Sequence, residues 1–330
     1  MMVLISLLAV IILAAIPFVG VTVVNLSVLF GLIVPYLALI TFIAGVVYRV
    51  VQWASAPVPF RITTTCGQQK TLSWIKADNL ESPHNTLGVI GRMALEILFF
   101  RSLFRNTKSE LKEGQKIVYG SDKWLWAAGL AFHYTFLVII LRHLRYFTEP
   151  VPAFVRLVDS MDGLFQIGLP TLYLTDIIFV GALTYLFLRR VVIPQVRYIS
   201  LASDYFPLFL ILGIGTTGLL MRYFFKTDIV GVKQLAVGLA TFQFTVPDNI
   251  GALFYVHIFL VSVLLAYFPF SKLMHLGGVF LSPTRNLAND NRMRRHVNPW
   301  DYPVKVHTYE EYEDEFREKM KGAGIPVDKE

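Results

Sequence analysis

The segment "WAAGLAFHYTFLVIILRHLRYF", Trp126 to Phe147, decides how the chain is read. It is an apolar run long enough to cross a bilayer, for which about 20 helical residues suffice. Yet it carries two imidazoles, His133 and His143, ten residues apart. Ionisable side chains at membrane depth are costly, so they face a partner or a cavity rather than lipid.

The rest of the chain has the same character. It has 330 residues, 55% hydrophobic and 16% charged, with a mean hydropathy of +0.56. Soluble domains carry roughly 25% charged residues, so the composition implies an integral membrane protein. No run alternates with the period of two that a membrane barrel requires. The expected fold class is therefore all-α, with about six transmembrane helices near Val3–Val24, Ser27–Val51, Lys123–Phe147, Phe165–Leu188, Tyr205–Phe225 and Asn249–His275. The first run has no basic segment before it and exceeds a usual signal core, which favours a retained anchor over a cleaved leader.

Basic residues in short flanking loops resist translocation and so orient the spans. Arg49 to Gly120 holds ten Lys and Arg and Arg189 to Asp204 three, while the tail from Leu276 holds nine. Thr148 to Leu164 holds only Arg156. The expected topology is a multi-pass protein of the cytoplasmic membrane with both termini inside. That topology accounts for the net charge of +7 without nucleic acid as a partner.

Three regions follow: an N-terminal helix at 1–26, a membrane domain at 27–278 with a cytoplasmic loop at about 52–122, and a cytoplasmic tail at 279–330. Within the loop, Leu87 to Asn106 sets Arg92, Arg101 and Arg105 among Leu, Ile and Phe, the pattern of an interfacial helix, which either lies on the membrane or docks a soluble subunit. The tail joins basic "NRMRRH" to acidic "YEEYEDEF", a mixture that a partner would order. "GIGTTG", Gly213 to Gly218, matches a dinucleotide fingerprint but sits inside an apolar span. Without a strand before it, it reads as small residues that let a helix or flat macrocycle approach.

The single cysteine, Cys66, excludes a disulfide, a thiolate-held iron–sulfur cluster and covalent c-type haem. The last expected span carries a second pair, His257 and His275, eighteen residues apart. Two histidine pairs on two helices suit two b haems, each iron taking one imidazole from either helix. Four unrelated interhelical hydrogen bonds are the structural alternative. Antiparallel spans join His133 with His275 on the cytoplasmic side and His143 with His257 on the outer side. Axial rise disagrees, since ten residues climb roughly 15 Å and eighteen roughly 27 Å, and Pro269 offers a kink between. Haems at two depths make an electron path, with an apolar quinol as the natural donor.

These pairs, on two helices, resemble the membrane cytochrome b subunits of respiratory nitrate reductases, the NarI-like family, whose fold is a dihaem bundle of four to five helices. The likeness covers about Ser27 to Gly278; the extra first span and the long basic loop depart from it. The first span, the stretches "FRITTTCGQQKTLSWIKADNLESPHNT" and "YGSDKWLWAAGLAFH", and the length are similar to the DsrM branch of that family. The resemblance implies two haem b, menaquinol as substrate, and a cytoplasmic iron–sulfur partner resembling heterodisulfide reductase (DsrK-like). It also implies the other subunits of a DsrMKJOP complex and, indirectly, DsrC, whose trisulfide the electrons would reduce. Cytochrome b of another quinone-linked complex is the alternative within the redox class. A proton-coupled transporter is the alternative outside it, although no internal repeat is evident.

Asp176, in "YLTDIIFV", is the conspicuous intramembrane acid and is expected either at the quinol site or as the partner of an arginine. Arg142, Arg145 and Arg222 are expected to bind haem propionates through charge-assisted hydrogen bonds, or else to snorkel to the interface.

Overall fold

The computed structural model describes residues 1–56, 77–114, 116–163, 170–289 and 306–329. Cys66, His296, the start of the expected span at Phe165, most of "FRITTTCGQQKTLSWIKADNLESPHNT" and the "NRMRRH" stretch lie outside them. In chain order come α1 (Met2–Thr22), a π turn (Leu29–Ile33) leading into α2 (Val34–Ala54), α3 (Thr86–Phe99), α4 (Arg101–Phe104), and strands β1 (Thr107–Lys112) and β2 (Lys116–Ser121). Next are α5 (Lys123–Phe147), α6 (Ala153–Asp162), α7 (Leu174–Val192), α8 (Pro194–Ile199), α9 (Ala202–Leu219) ending in a second π turn (Leu220–Phe224), and α10 (Ile229–Thr241). After α11 (Ala252–Tyr267) two 3₁₀ turns (Phe268–Phe270 and Lys272–Met274) lead to α12 (His275–Leu281), α13 (Pro283–Asn286) and α14 (Tyr309–Gly322).

Among the described residues, five helical stretches are long and apolar enough to cross a membrane: Met2–Thr22, Leu29–Ala54, Lys123–Phe147, Ala202–Phe224 and Ala252–Phe270. The chain is a multi-pass helical membrane protein. The fourth expected span differs from the expectation, because α7 starts at Leu174 rather than Phe165. Residues 170–173 are not helical, and the helix opens where Asp162 accepts the Thr175 N–H at 2.9 Å. α7 is also less apolar than the five, with Asp176 in its first turn and Arg189 and Arg190 in its last.

The N-terminal helix is part of the bundle rather than an appendage. α1 packs against both α9 and α11, α2 packs on α11, and α5 runs along α7. Val10 of α1 is buried in one core with Tyr205, Phe209 and Leu210 of α9 and Val256 and Leu260 of α11.

The expectation of one helix through Asn249–His275 is corrected. α11 ends at Tyr267, Ser271 is extended (φ −122°, ψ 177°), and His275 opens a separate helix. Pro269 cannot donate a backbone N–H, so the helix breaks there. α2 seals the break: Arg49 Nε donates to the Pro269 carbonyl at 3.0 Å, and Gly45 lies so close to Pro269 that any side chain would collide with it. The break removes the disagreement in axial rise, because the chain between His257 and His275 is not a straight helix.

Two further expectations change. The Leu87–Asn106 segment is two helices separated by Phe100 in the left-handed region (φ 50°), and Arg92 does not face headgroups. It is almost wholly buried, donating to the carbonyls of Glu81, Arg285 and Leu287. Burial first, then the nearby Arg285, lowers its pKa from the ordinary guanidinium value. Arg101 and Arg105 both pair with Glu81. The acidic tail stretch orders itself as α14, whose N-terminus has a Thr308–Glu311 capping box.

Candidate functional site

His133, His143, His257 and His275 come together as two pairs. His133 and His275 have ring centres 6.0 Å apart with planes at 81°. His143 and His257 have ring centres 6.4 Å apart with planes at 12°. α5 supplies one member of each pair, α11 supplies His257, and the broken chain beyond α11 returns His275.

Each Nδ1 is already engaged. His133 meets the Gly129 carbonyl at 2.7 Å, His143 the Ile139 carbonyl at 2.7 Å and His275 the Lys272 carbonyl at 2.9 Å. His257 meets the Thr217 hydroxyl at 2.9 Å. Among the described residues no hydrogen-bond partner is found for any of the four Nε2 atoms. A carbonyl can only accept, so the Nδ1 atoms facing carbonyls carry the proton and leave Nε2 a bare lone pair. That is the arrangement of a histidine prepared to ligate a metal through Nε2, with its tautomer fixed from behind.

The spacing fits one metal between each pair. Two imidazoles bound from opposite sides at about 2 Å per bond put their ring centres roughly 6 Å apart. Among the described residues no group of three or more His, Cys, Asp and Glu gathers as a metal cage. Each pair therefore offers two donors, the number a haem iron leaves open. Around the first pair, Phe100 and Phe132 set their rings edge-on to His133, each at 5.0 Å. Around the second, the "GIGTTG" stretch lies on α9, where a side chain added at Gly218 would touch the His257 ring at 3.5 Å.

Beside His143 lies a charged network. Arg142 forms ion pairs with Asp162 at 3.1 Å and Asp176 at 3.0 Å, and its guanidinium stacks on Tyr173, 3.7 Å from the ring centre. Arg222 covers the other side of Tyr173 at 4.0 Å and donates to the Thr171 carbonyl. Arg145 pairs with Asp159, which also accepts from the Tyr173 hydroxyl at 2.6 Å. Asp176 accepts from Tyr223 at 2.9 Å. Asp176 and the three arginines are thus brought together, with three carboxylates opposing three guanidiniums. The second π turn delivers Arg222 and Tyr223 to the same cluster; such turns recur at functional sites.

Sequence reading missed Asp159, Asp162, Tyr173, Tyr223 and Thr217. One signal was present: Arg142 and Arg145 stand three apart on α5, and Asp159 and Asp162 stand three apart on α6, so the two helices present matching ladders of opposite charge.

Residues 93–296 match the family model described as the nitrate reductase gamma subunit. The chain belongs to the nitrate reductase gamma subunit family. That match contains all four paired histidines and begins within α3, so α1 and α2 lie outside it. A protein of Archaeoglobus fulgidus, named as an Hdr-like menaquinol oxidoreductase cytochrome b-like subunit, is 47% identical over 283 residues, covering 84% of each chain. A protein of Archaeoglobus profundus with the same name is 42% identical over 274 residues, covering 81% of each chain.

Proposed function

We propose that the chain is the membrane cytochrome b subunit of a menaquinol-oxidising complex and that it holds two b haems. The single observation that carries this is the pair of histidine couples, with ring centres 6.0 and 6.4 Å apart and each Nδ1 held from behind. His133 and His275 hold the cytoplasmic-side haem, and His143 and His257 the outer-side haem. Haem iron, when bound, supplies one-electron transfer. The protein's part is to hold each iron from two helices and to keep both sites inside the bundle.

Menaquinol binds at the outer-side pair in this reading, and Asp176 accepts the hydrogen bond, and then the proton, of a quinol hydroxyl. Tyr223 and Arg142 hold that carboxylate in place. Arg142, Arg145 and Arg222 orient haem propionates from within the same network, sharing their charge with Asp159, Asp162 and Asp176. Electrons then leave at the His133–His275 end toward a cytoplasmic iron–sulfur subunit of the heterodisulfide reductase type. The names of the two Archaeoglobus relatives support this partner class. The finer assignment is to the DsrM branch, within a DsrMKJOP-type complex that serves DsrC trisulfide reduction. The excess of basic residues in the 52–122 loop and the tail supports both termini lying in the cytoplasm.

Pyridine haemochrome quantitation with reduced-minus-oxidised spectra tests the core of the proposal. Two low-spin haems per chain are expected. His143→Ala and His257→Ala each remove the same one, together with reduction by a menaquinol analogue. A chain with no haem, or unaltered quinol reduction in both variants, would overturn the reading.

A further inference from the structure

Of the four paired histidines, His257 alone has a side-chain hydroxyl, that of Thr217, at its Nδ1, beside the Ile214 carbonyl. We infer that Thr217, on α9, is the positioning residue that sets the tautomer, ring plane and electron donation of His257. The inference rests on the haem-ligand reading above.

The hydroxyl has one proton and three neighbours. Thr217 Oγ1 lies 3.0 Å from the Gly213 carbonyl, 2.9 Å from the Ile214 carbonyl and 2.9 Å from His257 Nδ1. Both carbonyls can only accept, so the hydroxyl proton goes to them, the usual back-bond of a helical threonine. The hydroxyl oxygen is then free to accept from His257 Nδ1–H, which leaves His257 Nε2 unprotonated. Gly215 lets α9 close on Phe179 of α7, where an added Cβ would come within 2.7 Å, and Gly218, the next residue after Thr217, faces the His257 ring at ordinary contact distance. Within "GIGTTG", Thr217 supplies the polar contact to His257.

Two consequences separate this pair from the other. A hydroxyl whose one proton is shared between two carbonyls is a different acceptor from the carbonyl that backs each of the other three rings, and it is one that a point substitution can delete. Accepting from Nδ1–H makes an imidazole a more basic ligand, which favours the oxidised metal. Thr217 also holds His257 in a plane 12° from that of His143, whereas the other pair is crossed at 81°. Bound between near-parallel rings, a haem iron would have its d orbitals split more than one bound between crossed rings, so the two sites would differ in their low-spin paramagnetic signatures.

The experiment compares Thr217→Val and Thr217→Ser with the native chain, each purified with its associated subunits. It reads haem content, redox titration of each haem and low-temperature electron paramagnetic resonance. Thr217→Val removes the acceptor at nearly constant volume. It is expected to raise one midpoint potential, by about fivefold in the reduced-to-oxidised ratio at a fixed poise, and to alter one low-spin signal. The other haem stays unchanged, and Thr217→Ser behaves like the native chain. Loss of one haem in Thr217→Val with a native Thr217→Ser also supports the inference. An unchanged potential and signal in Thr217→Val overturns it, as does a Thr217→Ser variant as perturbed as Thr217→Val. A native chain without haem overturns the functional reading itself, which keeps the two failures distinct.

Discussion

Two glycine-to-alanine replacements, chemically identical and both within helices of the bundle, are expected to act in opposite directions. At Gly45 on α2, an added Cβ would sit 2.6 and 2.8 Å from two ring atoms of Pro269 and 3.0 Å from Phe270. Carbon atoms rest at about 3.5–4.0 Å, so the misfit is roughly 1 Å against a ring that cannot rotate away. Overpacking of this kind costs about 1–3 kcal/mol, while replacing a helical glycine by alanine contributes about 0.5–1 kcal/mol in favour. Gly45→Ala should therefore destabilise by about 1 kcal/mol, the middle of a range of about 0–2.5 kcal/mol. At Gly181 on α7 the added carbon meets nothing within 4 Å, so only the favourable contribution of about 0.5–1 kcal/mol remains. Thermal or denaturant unfolding of the two variants in one detergent reads the difference. Because the clash sits on the break that delivers His275, Gly45→Ala should also weaken the His133–His275 haem and spare the other. Equal shifts in both variants, or a native-like Gly45→Ala, would refute the packing of α2 on the break.

Arg92→Met should leave the carbonyls of Glu81, Arg285 and Leu287 without their shared donor, at a cost of about 1.5–3 kcal/mol for each bond to a charged group. Hydrogen exchange over residues 283–289 should rise, and unchanged protection would contradict the clasp. Asp176→Asn keeps the Asp162 contact of Arg142, so haem content should hold while menaquinol-analogue oxidation falls; full activity would remove Asp176 from the proposed site. Acid should loosen α14. Burial opposes ionisation of Glu313, but the backbone N–H groups of Asp328 and Lys329 and the Arg317 side chain outweigh it and hold the carboxyl below its ordinary value. A lowered folded pKa gives stability that is present above the ordinary glutamate range and is lost as pH falls through the folded value. Proteolysis of the tail should accelerate on that acidification in the native chain and show no such step in Glu313→Gln.

The membrane class and the histidine pairing were legible because each rests on a long-range physical demand. Lipid requires about 20 apolar residues per span, and antiparallel spans bring the first histidine of one to the last of the other. The break after Tyr267 was only half legible: Pro269 and the mismatch in rise pointed to a distortion, but its seal comes from Gly45 and Arg49 on a helix remote in sequence. Arg92 misled because an arginine among leucines looks the same whether it snorkels or is buried, and only the carbonyls of the distant 285–287 segment decide. Tyr173 carried no signal of its own, since its place between Arg142 and Arg222 exists only once three helices meet. Thr217 stood in plain view inside "GIGTTG", but its direction on the helix depends on where His257 lies.

The grip of α2 on Pro269 also bears on how the molecule is made. Residues near 45 leave the ribosome long before those near 269, so the early helix must wait in the bilayer for the segment it will hold. Until that late segment arrives, the site on the α5 face has His133 but not its opposite ring. In the two-haem reading, a chain stalled before residue 269 would lack one of the two rings of this site. The same order makes α2, which the family match leaves out, the part of the chain against which the last of the four paired histidines is set.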